Sequence, residues 1–150
     1  MPKIFKKDQI IRFAHCDPAG IVYHPNFYVM FNGLLEDLFR EGLDLPWENM
    51  SSAEVVIPVV NIKTDFFKPF HIGDIGQMNL WISHLGRSSI TVQIEFYKGE
   101  DLHVKCEETM VCVDPVTRQS TPIPEKIRDR MLQYYLSLIH ISEPTRLLSI

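Results

Sequence analysis

No stretch of this sequence is apolar for long enough to cross a bilayer. The longest apolar run, Val55–Val60, is interrupted by Pro58, and a spanning helix needs roughly 18 residues. Cysteine is scarce too. Cys16, Cys106 and Cys112 are too few for a disulfide framework, and the odd count points to reduced thiols in a cytoplasmic setting. The first residues carry Lys3, Lys6, Lys7 and Asp8 instead of the apolar stretch of a secretion signal. Positive charge is in deficit: 15 Lys and Arg stand against 19 Asp and Glu, for a net charge of −4. That argues against nucleic acid or an anionic membrane as a partner, and an anionic ligand would require a local basic patch. Repeats, low-complexity tracts, a glycine-rich phosphate loop and a serine-centred nucleophile elbow are all missing.

What remains is an ordinary globular composition, 45% apolar and 23% charged over 150 residues, enough for one core without metal or disulfide staples. Lys3–Phe13 alternates loosely and reads as a strand, running into a turn-forming stretch, Ala14–Gly20. From Pro25 to Gly42 the period becomes helical, with Phe27, Met30, Phe31, Leu34, Leu35, Leu38 and Phe39 on one stripe. Pro25 suits the first turn and Gly42 the position past the end, while Gly33 would let a sheet approach the helix closely. Glu54–Phe67, Gly76–His84, Ser88–Tyr97 and Leu102–Val113 read as strands of an antiparallel meander joined by short glycine-bearing connections. Pro124–Tyr135 reads as a short helix. The expectation is an α+β domain over residues 1–136, one long helix against a curved antiparallel sheet of about five strands. Residues 137–150 show no sustained period and look like translated sequencing-adaptor read-through; this tail is expected to be non-native or disordered.

The chemically suggestive stretch is Asp17-Pro18-Ala19-Gly20-Ile21-Val22-Tyr23-His24-Pro25-Asn26-Phe27. It sets a carboxylate on a constrained bend just before a helix, whose start offers unpaired backbone N–H groups near Tyr23 and His24. Such donors hold a developing oxyanion, and a carboxylate opposite them is the minimal kit for acyl transfer. On pattern alone Asp-Pro-x-Gly is more often a plain turn. The spacing of His15, Cys16, Asp17 and His24 matches no common zinc pattern, so no metal is expected. Cys16 lacks an evident activator, Cys106 and Cys112 sit in a strand as core, and Asn32 or Glu36 would line a pocket or face solvent.

The stretch from Phe13-x-x-Cys16-Asp17 through Asn26-Phe27 strongly resembles the signature of the 4-hydroxybenzoyl-CoA thioesterase-like family of hotdog-fold acyl-CoA thioesterases. The similarity continues weakly through Phe67-x-x-Pro69-x-x-x-Gly73-Asp74 and Leu85-Gly86-Arg87-Ser88-Ser89, and covers about residues 3–135. The resemblance implies a hotdog fold and hydrolysis of acyl-CoA to carboxylate and free coenzyme A, with aromatic (hydroxybenzoyl-type) or short-chain acyl groups. It implies Asp17 as the catalytic carboxylate, nucleophile or general base, with Tyr23 and His24 where helix-start N–H groups polarise the thioester carbonyl. Arg87, Ser88 and Ser89 are implied to meet the phosphates of coenzyme A, with Lys63 and Lys68 as helpers. No cofactor beyond the coenzyme A of the substrate is implied, and the expected assembly is a homodimer or homotetramer with sites between chains. The rival readings are a thioesterase for acyl carrier protein and a non-catalytic acyl-CoA-binding oligomer.

Overall fold

A computed structural model describes residues 2–50 and 55–136; the tail at 137–150 lies outside them. Five strands, β1 (Phe5–Ile10), β2 (Val59–Phe66), β3 (Ile75–Leu85), β4 (Ser89–Lys98) and β5 (Asp101–Val111), form one antiparallel sheet in the order β1-β3-β4-β5-β2. The long helix α1 (Pro25–Asp37) packs against it, and a short helix α2 (Glu125–Met131) closes one end. This is the expected hotdog-like layout, one helix held by a curved sheet.

Every residue of the anticipated helical stripe, from Phe27 to Phe39, is buried. They meet the inward row of the sheet, including Leu80, Ile82, Val92, Ile94, Phe96 and Val104, and each such side chain contributes about 1.5–3 kcal/mol of burial. Phe27 and Phe31 both contact Phe96, and Tyr28 Oη donates to Thr64 Oγ1 at 2.8 Å, which fixes α1 against β2 as well as β4.

The details differ from the sequence expectation in four places. The first strand ends at Ile10, and Phe13–His15 forms a 3₁₀ turn with Phe13 84% exposed. The strand expected over Glu54–Phe67 begins only at Val59 and is not part of a meander. It pairs with β5 at the far edge, so the chain crosses back to reach β3; Glu54 lies outside the described residues. The last turn of the long helix, Leu38–Gly42, widens into a π turn, with the Leu43 N–H donating to Leu38 O at 2.9 Å. Gly42 is there for space: a Cβ would lie 2.9 Å from Tyr134 Oη, and Asp44 (φ 54) supplies the left-handed exit. Gly33 faces open space, so it brings no sheet near.

Candidate functional site

The bend carrying Asp17 is a tight hairpin that locks itself. The Asp17 N–H donates to Ile21 O at 2.9 Å, the Gly20 N–H returns to Asp17 O at 2.9 Å, and the Ala19 N–H donates to Asp17 Oδ1 at 2.8 Å. Closing it needs a left-handed residue, which Gly20 provides at φ 80. The carboxylate is half-buried, with one oxygen held by the loop and the other accepting no hydrogen bond from the described residues.

Two neighbouring segments hold the hairpin. On one side the Val22 N–H donates to Phe70 O and the Ile72 N–H to Gly20 O, each at 3.0 Å. Phe70 is fully buried and lies tilted against Phe96 and His103, with centroids at 4.2 and 4.4 Å. Asp74 ties that strip down: Oδ2 accepts the His71 N–H at 2.9 Å and Oδ1 accepts Lys98 Nζ at 2.9 Å. Burial alone would raise the Asp74 carboxyl, but the His71 N–H and the Lys98 ammonium overcome it and hold it below the ordinary range. On the other side sits the 3₁₀ turn, where His15 Nδ1 accepts the Arg12 N–H at 2.9 Å. Burial and, secondarily, Arg12 push the His15 imidazole down, which agrees with an unprotonated Nδ1.

The helix start is more selective than the sequence suggested. The Tyr23 N–H is spent on His15 O at 3.0 Å, the Asn26 N–H on Tyr23 O and the Phe27 N–H on His24 O, while Pro25 has none. Among the described residues this leaves the His24 N–H alone without an acceptor, at the positive end of the dipole. Pairing of Tyr23 with His15, Cys16 with Val22 and Asp17 with Ile21 puts His24 three positions from Asp17's partner. That is roughly 10 Å of extended chain, enough for an aspartate side chain with a thioester between it and the amide. The Tyr23 and His24 rings lie exposed, edge to face at 5.4 Å.

Arg87, Ser88 and Ser89 are not brought to this place. They form the turn at the other end of β3, whose near end at Ile75 follows the strip that adjoins the Asp17 bend through the Ile72 N–H to Gly20 O bond. The length of β3, roughly 30 Å, separates the two within one chain. Around Arg87 the structure adds Arg128 from α2, whose guanidinium donates to Gly86 O. Lys63 and Lys68 face Glu107 (4.0 Å) and Asp101 (3.4 Å), so neither cation stands alone. Asn32 is exposed and Glu36 half-buried. Cys106 and Cys112 are core, as expected, with burial pushing each thiol up to about 11. No group of three or more metal-ligating side chains occurs among the described residues.

Sequence reasoning missed three residues. Asn26 donates its side-chain amide to His15 O at 2.7 Å, and the Asp74 carboxylate anchors the Phe70–Gly73 strip. Glu108 points inward on β5, in line with Val104, Cys106 and Met110, and is 5% exposed with its carboxyl raised by burial. The alternation of β5 already placed it on the apolar face.

Comparison with known proteins agrees with this architecture. Residues 11–131 match the sequence profile of the thioesterase-like superfamily. The chain is 30% identical over 123 residues (78% of it, 87% of the relative) to a 1,4-dihydroxy-2-naphthoyl-CoA hydrolase of Rippkaea orientalis. It is 25% identical over 126 residues (83% and 93%) to the protein of the same name from Synechococcus elongatus. Among solved structures, a 1,4-dihydroxy-2-naphthoyl-CoA thioesterase from Synechocystis superposes with a TM-score of 0.80 at 25% identity, covering 86% of this chain and 96% of that one.

Proposed function

This chain belongs to the thioesterase-like superfamily and is a hydrolase of thioester bonds, and we propose that it converts acyl-CoA and water to a carboxylate and free coenzyme A through Asp17 and the His24 amide. The observation that carries the assignment is the one uncommitted helix-start N–H, three register positions from a carboxylate with a free oxygen. The thioester carbonyl oxygen would sit on the His24 N–H, and loss of such a donor costs about 3–4 kcal/mol in the transition state. Asp17 either attacks the carbonyl carbon, giving a mixed anhydride that water then opens to release the carboxylate, or takes a proton from the water that attacks it. The C–S bond then breaks, and the thiolate leaves with little need of a general acid. No step runs through a metal or redox cofactor.

The named relatives favour an aromatic, hydroxyl-bearing acyl group; a short chain is the alternative. The assembly we propose is a homodimer or homotetramer with sites between chains. Two features support it. β2 is an edge strand with Val60 58%, Ile62 44% and Phe66 49% exposed, an arrangement that favours pairing with another chain. Arg87, Ser88 and Ser89 would also need to come from a neighbouring chain to meet coenzyme A at Asp17. No helix of the described residues is long and apolar enough to cross a membrane, and the three free thiols fit a cytoplasmic setting.

Release of free thiol from a panel of acyl-CoA esters tests the reading. Asp17→Asn should turn over at least about a hundredfold more slowly; a variant near the wild-type rate would remove Asp17 from the mechanism. Single turnover in heavy-oxygen water separates the two roles, since heavy oxygen enters the Asp17 carboxylate only if an anhydride forms.

A further inference from the structure

The two halves of the site meet at one carbonyl. His15 O accepts the Tyr23 N–H at 3.0 Å and the Asn26 Nδ2 amide at 2.7 Å. His15 lies two residues before Asp17, whereas Asn26 lies in the first turn of α1, two residues after His24. An asparagine near a helix start commonly satisfies its own neighbouring backbone. This one, half-buried, reaches instead across eleven positions of chain to a separate segment. The Asn26 backbone remains committed to the helix through its bond to Tyr23 O at 2.8 Å. The side chain is thus a strut between a rigid helix and the arm bearing the carboxylate.

We propose that Asn26 is a positioning residue, whose amide sets the separation between the Asp17 carboxylate and the His24 N–H. The inference rests on the acyl-transfer reading above. It assigns Asn26 no contact with substrate. The opposite side of the bend is already gripped by the Phe70–Ile72 strip, so losing the strut loosens one side of the hairpin, leaving it on the Tyr23 N–H bond alone, and leaves the other side fixed. His15 O keeps its Tyr23 partner, so no buried carbonyl is orphaned and the fold loses little. What changes is the gap in which the ester sits, and an error of about 1 Å there costs up to about a hundredfold in rate.

The test compares Asn26→Ala and the near-isosteric Asn26→Leu with wild type on an acyl-CoA ester that wild type hydrolyses, alongside Asp17→Asn. Both Asn26 variants should lose between about tenfold and a hundredfold in kcat, with KM within about twofold and little change in Tm. Wild-type kcat in both variants, with Asp17→Asn inactive, would overturn the strut and leave the acyl-transfer reading standing. A fall in kcat accompanied by an equal rise in KM and a large drop in Tm would also overturn it, since that is the signature of general damage. An Asp17→Asn enzyme with full activity, or wild type inert toward every ester, would overturn both.

Discussion

Replacing Gly20 with alanine perturbs the Asp17 bend without touching any side chain. A Cβ there meets no atom within 4 Å, yet φ is +80, so the whole cost is backbone strain, roughly 1–2 kcal/mol for a left-handed L-residue. Relaxing that strain would break the Gly20 N–H bond to Asp17 O and the Ile72 N–H bond to Gly20 O, each worth about 1 kcal/mol. The two routes cost about the same, so Gly20→Ala should lose roughly 2–8 °C in Tm and populate both bends. Turnover should then fall several-fold, because the proposed chemistry needs Asp17 at its native separation from the His24 amide. Gly42→Ala is the control: its Cβ would press within 2.9 Å of Tyr134 Oη and 3.0 Å of Leu38 Cδ1, an overpacking cost of about 1–3 kcal/mol, at the opposite end of α1 from His24. Calorimetry and thiol-release kinetics on both variants decide the matter. A Gly20→Ala enzyme with unchanged Tm and kcat would refute the strain argument. Equal kinetic loss in Gly42→Ala would show that softening of the fold, not the bend, slows turnover.

Three further outcomes follow from the same geometry. Asp74 titrates low in the folded chain, so it stabilises above the unfolded carboxyl's value and loses that contribution as pH falls through the folded one; Asp74→Asn should flatten the stability curve below about pH 4, and an unchanged acid limb would contradict this. With Cys106 and Cys112 buried and their thiols raised to about 11, a thiol reagent at neutral pH should label only Cys16 in the native protein, read by peptide mass; early labelling of either core cysteine would argue against the packing. Val60→Lys on the exposed β2 edge should shift sedimentation toward the monomer and lower turnover with it, whereas an unaltered assembly would move the interface elsewhere.

The helix, the alternating strands and the Asp17 bend were legible because each is written locally: a 3.6-residue stripe, a two-residue alternation, and a turn that only glycine closes. Non-local facts were not. β2 carries the same β-forming residues whether it pairs with β3 or crosses to β5, and nothing in Pro69 or Gly73 says which. Gly42 looked like a cap and serves as room for Tyr134, a partner ninety-two positions away. Tyr23 and His24 were equal candidates as amide donors until the 3₁₀ turn, at the seam between the expected strand and the turn-forming stretch, offered His15 O to one of them. Sequence carries no distance between Arg87 and Asp17, and within one chain the length of β3 sets them apart.

Proline at position 24 offers the sharpest examination of the oxyanion assignment. His24 already has φ −52, close to the value proline imposes, and its N–H bonds to nothing among the described residues, so the exchange deletes one donor and no internal hydrogen bond. With His24→Ala as the reference that keeps the amide, His24→Pro should fold, bind acyl-CoA, and lose about a hundredfold to a thousandfold in kcat. A folded His24→Pro protein that hydrolyses acyl-CoA as fast as His24→Ala would contradict the assignment of the carbonyl oxygen to this amide.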